Sequence, residues 1–105
     1  MPVTVNVANG IPMSNGVRTS LSAGDHFTWV NDTPNPVTVL SCGGFCTASS
    51  YGPIAANGGT AVAQVNQTPN NWSFQETPTG TWAPGGSDPG QPRIQNPAKA
   101  AEDAA

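Results

Sequence analysis

A chain of 105 residues has the length of one domain. Leu, Ile, Val and Phe together number only 17, but charged residues are just 9%, against about 25% in ordinary domains, so the pairing of low hydrophobicity with high charge that marks disorder is absent. Three basic and six acidic side chains leave no cationic face for phosphates, no apolar run approaches the roughly 20 residues of a membrane span, and Met1-Pro2-Val3-Thr4 has neither the basic nor the apolar region of a signal peptide.

Gly and Pro contribute 12 and 11 residues, spread between short apolar runs, which is the punctuation of an all-β chain. Val3, Val5 and Val7 alternate with Thr4 and Asn6, predicting a strand over 2–8. Asn9-Gly10 and Asn15-Gly16 mark turns, and Val17 to Leu21 reads as a second strand. His26 to Asn31 is a third, with Phe27 and Trp29 on one face and His26, Thr28 and Val30 on the other. Pro36 to Ser41 is the fourth, with Pro36 at the first position, where no ladder donor is needed. A Gly-Gly loop bearing Cys42 and Cys46 follows, then a turn at Asn57-Gly58-Gly59 and a strand over Thr60 to Val65. Trp72-Ser73-Phe74 is another strand, residues 77–92 are rich in turn formers, and Arg93 to Gln95 closes the set. The expected architecture is a Greek-key β-sandwich of seven or eight short strands over residues 1–97, with a small closed barrel as the competing form. Residues 98–105 form an Ala-rich tail, too short for an isolated helix.

Gly24-Asp25, Trp29-Val30-Asn31 and Pro36 give residues 21–41 a pattern that resembles the cupredoxins, the family of plastocyanin and azurin. Residues 50–60 are similar to that family's Gly-rich turn before its next strand, and Trp72-Ser73-Phe74 falls where the family has Tyr-x-Phe-x-Cys. The resemblance covers roughly residues 15–80 and implies a cupredoxin-like sandwich. It also implies that the type 1 copper ligands are missing. The first histidine position is Val37, the cysteine position is Glu76, the second histidine falls near Pro78-Thr79, and no methionine follows Met13. The expected protein is therefore copper-free, with no cofactor.

Cys42-Gly43-Gly44-Phe45-Cys46 admits several readings: a local disulfide, half a metal site, a redox dithiol, or two free thiols in a cytosolic chain. Two glycines let the loop fold back far enough for a local disulfide, which would imply an oxidising compartment. A metal site has only His26 to add to the two thiols, and the three-residue spacing is one longer than that of the redox motif. His26, the single histidine, is expected on the outer surface by strand phase, while adjacent Asp25 projects to the other face, so no Ser–His–Asp or Cys–His arrangement is predicted. Glu76 reads either as a polar anchor in a pocket rimmed by Trp82 or as a solvated strand end. Trp82, in a polar and flexible stretch, reads either as a binding anchor or as a lid over the core edge, and Thr79 lies beside it. The Asn-x-Ser/Thr triplets at Asn31, Asn66 and Asn71 are no more than chance supplies.

With no paired acid and base, the chain is expected not to be an enzyme. A surface this poor in charge suits hydrogen-bonded contacts with copies of itself, with another protein or with a glycan. The expectation is a self-associating structural or binding subunit, extracellular or at the cell surface, with Trp82 and segment 77–92 supplying contacts and the Ala tail packing on a neighbour. A small-ligand or carbohydrate-binding module using Glu76, Thr79 and Trp82 is the first alternative, and a metalloprotein built on Cys42, Cys46 and His26 the second.

Overall fold

The computed structural model describes residues 3–40, 45–86, 91–98 and 102. Two five-stranded sheets pack face to face, so the chain is an all-β sandwich. In chain order the strands are β1 (Thr4–Asn6), β2 (Pro12–Ser14), β3 (Val17–Arg18), β4 (His26–Asn31), β5 (Val37–Leu40), β6 (Ser50–Ile54), β7 (Gly59–Gln64), β8 (Trp72–Glu76), β9 (Thr81–Gly86) and β10 (Arg93–Ile94). The first sheet runs β3-β2-β1-β4-β7 and the second β10-β8-β9-β5-β6. Most neighbours are antiparallel; β1 with β4 and β5 with β9 are parallel.

Ten strands among the described residues exceed the expected seven or eight, and three of them interrupt stretches read as turns. β2 lies between the two Asn-Gly turns. The second of these turns has Asn15 at φ 54° and Gly16 at φ 76°, the left-handed pair that a two-residue hairpin requires. β6 and β9 contain Pro53 and Pro84, which argue against a strand when the sequence is read alone. The sheet takes them up through irregular registers. Val37 faces Ile54 but Val39 faces Tyr51, which leaves an extra residue in β6. Ser73 faces Gly86 but Phe74 faces Pro84, which leaves Gly85 as the extra residue in β9. The expected strand over 17–21 shortens to β3, and Leu21 leaves the sheet to be buried in the core.

Period-two patterning is clearest in β4, where Phe27, Trp29 and Asn31 point inward and His26 is exposed. Phe27, Trp29, Val37, Val39, Phe45, Ile54 and Phe74 are central to the core, with Val5, Val7 and Leu21 behind them. Aromatic rings run through it as a connected chain: Phe27 to Trp29 at 5.5 Å, Trp29 to Phe74 at 5.6 Å, Phe74 to Phe45 at 6.0 Å, and Phe45 stacked on Trp72 at 6.0 Å. The Trp29–Phe74 contact joins the two sheets edge to face, a geometry worth about 0.5–1.5 kcal/mol beyond area burial. At one end of the sandwich, Gly10 adopts φ 65° and lies so close to β10 that a Cβ would overlap the backbone of Pro92 and Arg93.

Of the tail assigned to 98–105, only Ala98 and Glu102 are described; the expected docking of its remainder lies outside the described residues.

Candidate functional site

The three residues expected to contact a ligand or partner converge on one hairpin. β8 and β9 pair antiparallel, and their register sets Glu76 directly opposite Trp82. Thr79 lies in the turn between them. Gly80, at φ 75°, donates its amide to Thr77 O at 3.0 Å, and the Thr77 amide donates to Thr81 O at 2.8 Å. The hydroxyls of Thr77, Thr79 and Thr81 form a row, with Oγ1 separations of 2.8 and 3.2 Å. Glu76 is exposed and Thr79 is exposed beside it. The hairpin therefore offers a carboxylate and a short line of hydroxyls, a surface able to hydrogen-bond a polar ligand.

Trp82 departs from the expected flexible stretch. It belongs to β9, the strand between β8 and β5, and lies beside Val39 in the parallel register. Its ring is half-buried against the core, and its Nε1 is enclosed with no acceptor among the described residues. Trp82 thus packs against the core from the central strand of the second sheet. The donor that a ligand would use is turned inward.

The Cys42–Cys46 loop is only partly accessible to description, because Cys42 lies outside the described residues. Cys46 carries a buried free thiol. It is bridged to Val65, beside the bonds Thr47 N to Gln64 O at 3.0 Å and Asn66 N to Phe45 O at 2.6 Å. Burial pushes the Cys46 thiol up to about 12, opposed by a hydrogen bond with the Tyr51 hydroxyl. Burial also raises Tyr51, and a charge on Cys46 would raise it further. His26 is exposed on the outer face while Cys46 faces the core, so the fold does not bring them together; no three of His, Cys, Asp and Glu cluster among the described residues.

Two features escaped sequence reasoning. The first is a cleft of about 330 Å³ where the β1–β2 turn meets β10, lined by Ala8, Asn9, Ile11, Arg18, Gln91, Pro92 and Arg93. It gathers two of the chain's three basic side chains from opposite ends of the sequence, and both already interact within the fold. No local signal could have found it. The second is Asn31, whose side chain is fully buried at the junction of the sheets. Its Nδ2 donates to Ile54 O at 3.0 Å and Asn35 O at 2.9 Å, while its Oδ1 accepts from Thr33 N at 3.0 Å and Thr33 Oγ1 at 2.6 Å. Every polar position of the amide is used, so this asparagine is a structural tie and not a glycan acceptor.

No protein-family model matches the chain, and no curated protein and no solved structure shows significant similarity to it. Among the described residues no helix is long and apolar enough to cross a membrane.

Proposed function

We propose that this chain is a non-enzymatic, copper-free, cupredoxin-like structural subunit, exported or at the cell surface, that associates with copies of itself. One observation carries the reading. The outward face of the β3-β2-β1-β4-β7 sheet is almost without charge. Its registers set Met13, Thr4, Thr28 and Val62 in one row and Asn6, Val30 and Thr60 in the next. Arg18, on the outermost strand, is the single charged side chain on these five strands. Such a face lacks the repulsion that keeps ordinary soluble domains apart and leaves hydroxyl and methyl groups for contact. The copper-free reading rests on Val37 at the first histidine position, since a buried isopropyl group cannot ligate a metal.

The test is solution mass by light scattering over a range of concentrations and ionic strengths. Association that deepens with concentration and changes little with salt supports the reading, because contacts without charge are not screened. A monomer at every concentration overturns it.

A second reading, a module for small ligands or carbohydrate, is favoured by the threonine hydroxyl row beside Glu76 on the β8–β9 hairpin. Glycan-array binding that is lost in Glu76→Gln and retained in His26→Ala would support it; an array without signal would remove it.

A further inference from the structure

The four outer strands of the two sheets are β3, β7, β10 and β6. Exposed sheet edges invite pairing with another chain unless they are short, charged, interrupted by proline or covered. Three of the four carry such devices. β3 has two residues, one of them Arg18. β10 also has two, including Arg93, whose amide is taken by Asn9 O at 3.2 Å. β6 contains Pro53, which has no amide hydrogen, at an irregular register. β7 is different: six residues, Gly-Thr-Ala-Val-Ala-Gln, without charge or proline.

Its unpaired side can be located from the hydrogen-bond phase. Thr28 N donates to Val3 O and Val7 N donates to Val30 O, so Thr28 and Val30 direct their backbone groups toward β1. Phe27 and Trp29 therefore direct theirs toward β7, onto Ala63 and Ala61. By alternation, Thr60, Val62 and Gln64 direct theirs away from the sheet. Gln64 O is taken by Thr47 N at 3.0 Å. The backbone groups of Thr60 and Val62 have no hydrogen-bonded strand beside them among the described residues; β6 lies near β7 but pairs only with β5. The Val62 side chain is 67% exposed, one of two large apolar side chains so displayed among the described residues.

We propose that two copies of this chain associate by antiparallel pairing of their β7 edges, through the outward backbone groups of Thr60 and Val62. The proposal rests on the self-association reading and specifies its interface. Opposed edges would bring exposed Val62 side chains from the two copies near one another, adding apolar contact to the backbone bonds.

The test is hydrogen exchange across residues 59–65 at low and high protein concentration, alongside solution mass for the unmodified chain, Val62→Lys, and Val17→Lys on the β3 edge as control. The expected result is slower exchange at Thr60 and Val62 in the associated form. Val62→Lys should weaken association at least tenfold, with Val17→Lys unchanged. Association without added protection at Thr60 and Val62 overturns the edge proposal and leaves self-association standing, whatever Val62→Lys does, because another surface then carries the contact. A chain that stays monomeric overturns both. Should Val62→Lys fail to fold, the exchange measurement on the unmodified chain still decides.

Discussion

Asn31 shows how one polar side chain can hold two layers together. It ends β4 in the first sheet, yet donates to a carbonyl of β6 in the second and to Asn35 in the loop between β4 and β5. Replacing it with alanine would leave the buried Ile54 carbonyl and the Thr33 amide without this partner, which costs about 2–3 kcal/mol. Urea denaturation of Asn31→Ala should show a lowered midpoint with an unchanged slope. The sequence marks Asn31 as the end of a strand and as part of a glycosylation triplet; its use as a tie depends on Ile54, 23 residues away. Cys46 makes a second prediction at this scale. Its thiol stays neutral in the folded chain to about 12, whereas the unfolded chain ionises near the ordinary value of 9.0. The group therefore contributes stability in full below pH 9, and that contribution is lost progressively as pH rises toward 12. The raised Tyr51 acts in the same sense. Urea midpoints between pH 7 and 11 should fall on the alkaline side, and Cys46→Val should flatten the fall.

At the scale of elements, legibility followed hydrophobic alternation. β4 alternates buried with exposed or half-buried positions along its whole length, with Phe27 and Trp29 inward, and its bounds agree with those the sequence predicts. β6 and β9 have Pro, Gly and small residues in place of that rhythm, so the sequence alone suggests turns there. They exist as strands because the sheet supplies ladder partners on neighbouring β5 and β8, and because an extra residue in each absorbs the misfit. The same misreading put Trp82 on a loop. Once β9 is a strand, Trp82 must alternate with its neighbours, and the phase turns its indole against the core. The convergence of Glu76, Thr79 and Trp82 was legible only as proximity along the chain; the direct opposition of Glu76 and Trp82 is a property of the register. Register also decides which backbone groups of β7 face outward, and so where the proposed pairing occurs.

Across the whole molecule, the aromatic chain from Phe27 to Trp72 is the main link between the sheets. Phe74 is its middle member, touching Trp29 on one side and Phe45 on the other. Phe74→Ala should cost about 3–5 kcal/mol, a large share of the stability of so small a domain. Thermal unfolding followed by circular dichroism should show a midpoint lowered by well over ten degrees. The alternation of Val, Phe and Trp with Thr and Asn, together with the Asn-Gly turns, was enough by itself to point to an all-β sandwich and to its core residues Phe27, Trp29 and Phe74. These are local or compositional properties: the period of a strand and the left-handed preference of Asn-Gly need no knowledge of distant residues. Only the tertiary structure decided that the proline-bearing segments are strands, that Asn31 ties the layers, that Trp82 turns inward, and that β7 alone among the four outer strands lacks charge, proline and brevity. Each of those depends on which strand lies beside which and in what register, and pairings between residues far apart in the chain leave no local trace.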